Sequence, residues 1–206
     1  MITPELLKKY PLLSDQITHS ELNVVLRECE KILIAKEAGA IVEFGCFSGT
    51  TSVFIRRLLD AYKDARAFHV YDSFAGLPPK APQDHSAVGV DFTGGKLTVS
   101  KRQFIKNFER AQLRPPIIHK AWFNELQDAD LPRPIAFAFL DGDFYESILT
   151  SLQLVWPRRS PHGVILLHDY NRETLPGVAR AVQDFFATHG PAPRIVVESQ
   201  VAILRY

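Results

Sequence analysis

Short runs of consecutive apolar residues alternate along this chain with longer segments in which apolar residues recur every three or four positions. The periodic segments predict helices over 51–63, 100–112, 145–156 and 178–186. The continuous runs predict strands over 41–44, 67–71, 116–119, 135–140, 164–167, 195–197 and 201–204. Continuously apolar strands are typical of parallel sheets covered on both faces, so the pattern predicts an α/β fold with helices on both sides of the sheet.

The N-terminal region, residues 1–38, has a helical pattern of its own. One face of the predicted helix carries Leu22, Val25, Leu26, Cys29 and Leu33. Ser20 is the expected N-cap of this helix, and Gly39 is its expected C-terminal stop.

Four of the predicted strands end in an acidic residue, at Glu43, Asp72, Asp141 and Asp169. The carboxyl ends of parallel strands meet at one edge of a sheet, and ligands of open α/β sheets bind at that edge. Core packing gives no reason for an acid at each of these positions. The sequence therefore predicts a binding site along the edge.

The first predicted strand leads into a glycine turn with the sequence VEFGCFSGTTS, residues 42–52. Gly45 and Gly49 are four positions apart, which is not the G-x-G-x-x-G spacing of turns that bind a diphosphate. Gly45 lets the backbone approach a ligand closely, and Glu43 is expected to hold a cationic or hydroxyl group. The hydroxyl residues that suit the start of the next helix, one of them as its cap, are Ser48, Thr50 and Thr51. The alternative is a tight turn whose acid is solvated.

The second predicted strand ends at Asp72, one strand–helix–strand step after Glu43. An acid in this position typically binds the two ribose hydroxyls of a nucleoside. With a turn that has no diphosphate cradle, it predicts a site for S-adenosylmethionine, in which an amino acid replaces the phosphates. Trp122 could flank the adenine ring, although ordinary core packing is an equal alternative. The predicted cofactor-binding residues are Glu43, Gly45, Phe47, Ser48, Thr50, Thr51, Asp72, Ser73, Trp122 and Asp141.

A second group of chemical residues follows the fourth and fifth predicted strands. If these strands are neighbours, Asp141, Asp143, His168 and Asp169 come together, and three of them, Asp141, His168 and Asp169, are the predicted metal ligands. Oxygen ligands alone favour Mg²⁺, whereas a histidine shifts the preference toward Mn²⁺, Fe²⁺ or Zn²⁺. The alternative is that one or two of the carboxylates are helix caps or loop residues.

Residues 73–99 form a long loop rich in proline and glycine after Asp72. Loops of this length in a compact domain are usually lids or binding loops, so we predict a lid that excludes water, with a disordered insertion as the alternative. Asp84 and His85 within it could reach a substrate, but an exposed loop histidine is more often idle.

Composition narrows the function classes. The 206 residues fit one domain, 1–206, and the formal net charge of +1 gives no reason to expect a nucleic acid or a membrane surface as partner. No apolar stretch is long enough to predict a membrane span. The two cysteines, Cys29 and Cys46, lack metal or redox spacing and are expected to be buried thiols in a reducing cytoplasm.

Five stretches together resemble one known family. They are VEFGCFSGTTS, YDSFAGLPP, the GG-x-L-x-x-S segment before Asn107-Phe108, LDGDFYES, and GVILLHDY with PGV-x-x-AV-x-DFF. Over roughly residues 40–187 the chain resembles the macrocin O-methyltransferase family, whose members methylate sugar hydroxyls of natural products. DSF-x-GLP and LDGD-x-YES are fairly specific to it, whereas the glycine turn is common to class I methyltransferases.

The resemblance implies a Rossmann-like, seven-stranded, mostly parallel sheet and a Mg²⁺-assisted O-methyl transfer from S-adenosylmethionine to a small-molecule hydroxyl acceptor. It places Glu43 and Gly45 along the methionine part, Asp72 on the ribose, and Asp141 and Asp169 on the metal. Family members often have a second acid where this chain has His168. Relatives also suggest a homodimer or a larger homo-oligomer.

The predicted reaction is an in-line displacement in which an acceptor oxygen attacks the methyl carbon. The predicted catalytic residues are Asp141, Asp143 and His168, and either Asp143 or His168 takes the proton from the acceptor. Three other functions are open: a catechol or phenol methyltransferase, a nicotinamide-dependent oxidoreductase, and a non-catalytic adenosine-binding module. The missing G-x-G-x-x-G speaks against the oxidoreductase.

Overall fold

The computed structural model describes residues 1–89 and 92–205, so residues 90–91 of the predicted lid loop and residue 206 of the predicted domain lie outside the described residues. Within that part of the chain, seven strands form one sheet, and all seven predicted strands are confirmed. The strands are β1 Ala40–Phe44, β2 Phe68–Asp72, β3 Ile117–Lys120, β4 Ile135–Leu140, β5 Arg159–Leu167, β6 Arg194–Glu198 and β7 Val201–Arg205.

Six α-helices accompany the sheet in the described ranges. They are α1 Thr3–Lys9, α2 His19–Ile34, α3 Thr50–Ala61, α4 Lys101–Arg110, α5 Tyr145–Val155 and α6 Gly177–Thr188. Short 3₁₀ turns lie at Pro82–Asp84, Phe123–Glu125, Asp128–Asp130 and Trp156–Arg158. No helix among the described residues combines the length and the apolar character that a membrane crossing needs.

The predicted ends of the N-terminal helix were wrong. Thr18, not Ser20, caps α2, because its hydroxyl accepts the Glu21 N–H at 3.2 Å while the Glu21 carboxylate accepts the Thr18 N–H at 2.7 Å. This reciprocal capping box satisfies two helix-end donors, whereas Ser20 already lies within the first turn of α2. The helix ends at Ile34, and Gly39 instead passes the chain close to the Pro134 carbonyl at the entrance to β1.

The strand order in the sheet is β3-β2-β1-β4-β5-β7-β6, with β1 to β5 parallel and β7 antiparallel to both of its neighbours. The order reverses between β1 and β4, which creates a crevice at the carboxyl ends of these two strands. Helices α1 to α4 pack into the hydrophobic core on one face of the sheet, and α5 and α6 pack into the core on the other. The predicted Rossmann-like, mostly parallel α/β sheet is therefore confirmed.

Strand β5 begins at Arg159, earlier than the predicted start at 164. Its first residue pairs with Ile135 across a shift of register between Ile135 and Phe137. Pro161 and Gly163 hid this extension, because both residues are typical of loops rather than strands.

Candidate active site

A cavity of about 690 Å³ lies at the carboxyl edge of the sheet, over the crevice between β1 and β4. Its walls come from the ends of β1, β2, β4 and β5, from the loop after β2, and from the turn after β3. Two further contributions come from α5 and from the connection between α1 and α2. This volume and position are those of a small-molecule site in an open α/β sheet.

Most of the residues that the sequence singles out line this one cavity. They are Gly45, Phe47, Asp72, Ser73, Trp122, Asp141, Asp143, His168 and Asp169. The predicted nucleoside residues and the predicted metal ligands therefore share a single cavity. Four predicted cofactor-binding residues, Glu43, Ser48, Thr50 and Thr51, are not part of its lining.

Glu43 lies beneath the glycine turn, 1% exposed, and its carboxylate accepts a hydrogen bond from the Ser52 hydroxyl at 2.5 Å. Burial raises the pKa of Glu43 to about 8, although the Ser52 hydrogen bond opposes the rise. The hydrogen bond with Ser52 ties β1 to α3 behind the cavity wall. A direct contact between Glu43 and a cofactor stays a prediction.

The helix after the glycine turn starts without a hydroxyl cap, contrary to the prediction for Ser48, Thr50 and Thr51. Gly49 is the N-cap of α3 and has a φ of +88°. A Cβ at this position would lie 2.8 Å from the Phe104 ring, so the close approach of α4 requires glycine here. Thr50 pairs with Ser14 instead, their hydroxyl oxygens 3.1 Å apart.

Asp72 holds the two loops that frame one side of the cavity. Its Oδ2 accepts the backbone N–H groups of Cys46 at 2.8 Å and Phe47 at 3.3 Å, and its Oδ1 accepts the Phe74 N–H at 2.7 Å. Both loops need this anchor because Phe47 and Phe74 have positive φ values of 45° and 53°. Asp72 thus fixes the shape of the predicted nucleoside subsite while also lining it.

The three predicted metal ligands converge at the other side of the cavity. One ligand atom from each of Asp141, His168 and Asp169 lies within 4.8 Å of those from the other two. His168 Nδ1 is 2.9 Å from Asp141 Oδ1 and 3.6 Å from Asp169 Oδ2. Backbone hydrogen bonds at the strand ends fix the group, since the Asp141 N–H donates to Phe44 and the His168 N–H donates to Leu140.

The sequence did not predict Glu21 of α2, which lies next to His168 on the side away from the two aspartates. Its Oε2 is 3.6 Å from His168 Nε2, and its side chain is only 11% exposed. Burial would raise the pKa of Glu21, but the nearby His168 imidazole and the hydrogen bonds from Thr18 outweigh burial and lower that pKa to about 2. The only signal in the sequence was an acid three residues after a threonine, which indicates a cap rather than a site residue.

The carboxylates around His168 are only partly balanced by a neighbouring cation, since Arg172 Nη1 lies 3.2 Å from Asp169 Oδ1. Burial lowers the pKa of His168, but Asp141, Glu21 and Asp169 overcome it and hold that pKa well above its usual range. Burial also raises the pKa of Asp169, and burial together with the charges of Asp141 and Asp169 raises the pKa of Asp143. Three carboxylates, of Asp141, Asp169 and Glu21, lie within 3.6 Å of one imidazole, and such a group favours a bound cation.

The loop after β2 supplies one wall of the cavity through Ser73, Gly76, Leu77, Pro78, Pro79, Phe92 and Leu97. It is anchored rather than loose at its middle, because Asp84 is fully buried and its Oδ1 accepts the Tyr145 N–H at the start of α5 at 2.7 Å. Asp84 therefore does not reach the cavity, and His85 is exposed outside its lining.

Gln16, from the connection between α1 and α2, also lines the cavity and was missed. Nothing in its local sequence marks it, since only the packing of α2 on the sheet brings it to this edge. Phe123, beside the predicted Trp122, lines the cavity and packs edge-to-face on Phe44, with ring centroids 5.1 Å apart.

Comparisons with known proteins agree with this geometry. The model of the family described as macrocin-O-methyltransferase (TylF) matches residues 10–203. The relative named 8-demethyl-8-(2,3-dimethoxy-alpha-L-rhamnosyl)-tetracenomycin-C 4'-O-methyltransferase, from Streptomyces olivaceus, is 32% identical over 167 residues, covering 78% of this chain and 63% of the relative. Mycinamicin III 3''-O-methyltransferase from Micromonospora griseorubida is 28% identical over 172 residues, covering 77% of this chain and 64% of the relative.

Solved structures show the same fold. The O-methyltransferase NovP superposes with a TM-score of 0.79 at 24% identity, covering 92% of this chain and 80% of that one. The calicheamicin methyltransferase CalS11 superposes with a TM-score of 0.73 at 18% identity, covering 99% of this chain and 90% of that one. The matched regions span less than two thirds of the length of the curated relatives. Since the family model nevertheless matches nearly all of the residues present, the chain belongs to the macrocin-O-methyltransferase (TylF) family.

Proposed function

We propose that this protein is an S-adenosylmethionine-dependent O-methyltransferase that methylates a hydroxyl of a small molecule, such as a sugar of a natural product. The proposal rests on one cavity with two sides. Asp72 and the Gly45 turn frame one side, and Asp141, His168 and Asp169 lie at the other. The names of the curated relatives, which are O-methyltransferases of rhamnosyl-tetracenomycin and mycinamicin, support this substrate class.

The cofactor side fits a nucleoside joined to an amino acid. A Cβ at Gly45 would lie 2.0 Å from the Asp141 carbonyl oxygen, so the two strand ends approach as closely as a glycine permits. Asp72 lines the cavity beside this turn, and Trp122 and Phe123 add aromatic surface. We infer that Asp72 binds the ribose hydroxyls and that the aromatic pair contacts the adenine, which leaves Gly45 and Phe47 along the amino-acid part.

The opposite side fits a divalent cation, because Asp141, His168 and Asp169 present two carboxylates and an imidazole whose ligand atoms lie within 4.8 Å of one another. A cation bound there would lower the pKa of an acceptor hydroxyl and fix its orientation. Asp141 lies at the boundary of the two subsites, since its backbone carbonyl packs against Gly45 while its carboxylate faces His168.

Asp143 is the proposed proton acceptor. It lines the same cavity, and no hydrogen bond from the described residues occupies its carboxylate. His168 is less suited to this role, because its Nδ1 faces Asp141 and its Nε2 faces Glu21. The loop after β2 and the aromatic turn after β3 would exclude water from the transferring methyl group.

Isothermal titration calorimetry of the purified protein tests the cofactor assignment. We expect saturable heat with S-adenosylmethionine and with S-adenosylhomocysteine, and none with NAD⁺ at the same concentrations. Binding of NAD⁺ alone would overturn the proposal in favour of the nicotinamide-dependent oxidoreductase.

Methyl transfer is then measured with two acceptor sets, glycosylated natural products with free sugar hydroxyls and simple catechols. We expect product only from the first set and a loss of at least about 100-fold in kcat for Asp141→Asn, with cofactor binding retained. Transfer only to catechols would select the alternative methyltransferase, and cofactor binding without any transfer would select the adenosine-binding module.

Two further proposals concern the cellular compartment and the oligomeric state of the enzyme. Cys29 and Cys46 are both free and buried, which supports the reducing cytoplasm predicted from their spacing. The homodimer suggested by relatives stays a prediction, which size-exclusion chromatography with light scattering would check.

A further inference from the structure

The carboxylate of Glu21 serves two neighbours at once. It accepts the Thr18 N–H and the Thr18 hydroxyl, both at 2.7 Å, and the same Oε2 lies 3.6 Å from His168 Nε2. The capping box of α2 accounts for the contacts with Thr18 but not for the contact with His168. Glu21 is 8% exposed, so its approach to the histidine takes place out of bulk water.

His168 is held between Glu21 on one side and the two aspartates on the other. Its side chain is 3% exposed, and Nε2 has no hydrogen bond of normal length among the described residues. Its Nδ1 faces Asp141 and Asp169 at the cavity. The ring therefore presents one nitrogen to the proposed cation site and the other to a buried carboxylate.

We propose that Glu21 is a positioning residue that holds His168 through Nε2, so that Nδ1 ligates the cation, and that the site therefore prefers Mn²⁺ to Mg²⁺. This inference rests on the cation subsite of the proposed function. It goes beyond that function because it assigns a role to a residue of the N-terminal helix and names the class of ion that the site selects.

The chemistry of the ligands decides the preference. Mg²⁺ binds oxygen ligands and water, whereas an imidazole nitrogen suits first-row transition ions such as Mn²⁺. A carboxylate that accepts the other N–H of a ligating histidine fixes the tautomer and the orientation of the ring and raises its basicity. Removing such a partner typically lowers metal affinity by 10–100-fold, on the order expected here.

The test uses the purified protein and two variants, Glu21→Gln and Thr18→Ala. Glutamine keeps the capping box of α2 but removes the charge that faces His168. Thr18→Ala removes the hydroxyl that accepts the Glu21 N–H, but it keeps the Glu21 carboxylate. It is therefore the matched control for loss of the helix cap.

Isothermal titration with Mn²⁺ and with Mg²⁺ gives the affinities, and pulsed electron paramagnetic resonance of the Mn²⁺ complex detects a directly bound nitrogen. We expect Mn²⁺ to bind at least about tenfold more tightly than Mg²⁺ and to show nitrogen coupling. We expect Glu21→Gln to weaken Mn²⁺ binding by about tenfold or more, and Thr18→Ala to lower the Tm while leaving the Mn²⁺ affinity nearly unchanged.

Tighter binding of Mg²⁺, absence of nitrogen coupling, or equal effects of the two variants on Mn²⁺ affinity would each overturn the inference. These readouts need neither cofactor nor acceptor. If methyl transfer occurs but the metal affinities or the nitrogen coupling differ from those expected, this inference alone fails. If the metal results hold and S-adenosylmethionine does not bind, the proposed function alone fails.

Discussion

At the scale of single residues, Gly45 shows how closely the backbones at the ends of β1 and β4 approach each other beside the cavity. It has a φ of +82°, and a Cβ there would lie 2.0 Å from the Asp141 carbonyl oxygen and 2.9 Å from its carbonyl carbon. The end of β1 and the end of β4 are joined at this point, because the Asp141 N–H donates to the Phe44 carbonyl at 2.8 Å. A side chain at Gly45 would separate the cofactor side from the cation side.

Gly45→Ala is expected to destabilise the protein by about 3 kcal/mol or more, as measured by urea unfolding. A positive φ costs an alanine roughly 1–2 kcal/mol, and displacement of the Asp141 backbone adds the rest. The control is Gly95→Ala, since Gly95 has a φ of +81° but nothing within 4 Å of an added Cβ. Equal losses for the two variants would show that the contact with Asp141 has no energetic consequence.

At the scale of elements, the loop after β2 is coupled to the starts of α5 and α6. Asp84 accepts the Ala81 N–H at 2.9 Å within the loop and the Tyr145 N–H at the start of α5 at 2.7 Å. The start of α6 is equally close, because a Cβ at Gly177 would lie 1.8 Å from Asp84 Oδ1. A carboxylate near two helix N-termini is stabilised by their dipoles. Asp84 therefore holds the loop against the starts of α5 and α6.

Asp84→Ala is expected to lower the free energy of unfolding by about 1–3 kcal/mol, because it leaves the Tyr145 N–H buried without its acceptor. Hydrogen exchange should also become faster across residues 73–89, and the affinity for S-adenosylmethionine should fall because the loop forms a wall of the cavity. His85→Ala, at the exposed neighbouring position, is the control and should change none of these quantities by much. Unchanged exchange in Asp84→Ala would mean that the loop is held by other contacts.

At the scale of the whole molecule, buried ionisable groups make stability depend on pH in opposite directions. Burial lowers the pKa of His69 to about 4, with the nearby His119 adding to the effect, so acid protonates the unfolded chain first and destabilises the fold. Burial raises the pKa of Glu43 to about 8, so the folded protein keeps a proton that the unfolded chain loses above pH 4.5. The Glu43 contribution is therefore complete below pH 4.5 and is lost as pH rises toward 8.

Glu43→Gln keeps the shape of the side chain and cannot ionise, so its stability relative to the unaltered protein should improve as pH rises from 5 to 8. The slope of this difference is expected to approach about 1.4 kcal/mol per pH unit between the two pKa values. Urea unfolding at pH 5, 6.5 and 8, without cofactor or metal, measures it. A difference that does not change with pH would show that Glu43 ionises in the folded state as readily as in the unfolded chain.

The sequence by itself predicted the seven strands and the sites at their carboxyl ends, because these features are encoded locally. An apolar run and the acid that follows it are adjacent in the chain, and parallel strands bring such ends to one edge whatever their order. Asp72, Asp141, His168 and Asp169 were found in this way, and they line one cavity. Family motifs in the same stretches predicted the family that the comparisons show.

Only the tertiary structure decided which of the neighbouring side chains face the cavity and which support it. Glu43 follows the same rule as Asp72 yet lies buried beneath the turn, because the strand pleat and Ser52 of α3 turn it inward. Glu21 and Gln16 reach the site because α2 packs across β4 and β5. Contacts between residues this far apart depend on how elements pack, and no local pattern of hydrophobic and polar residues encodes the distance between them.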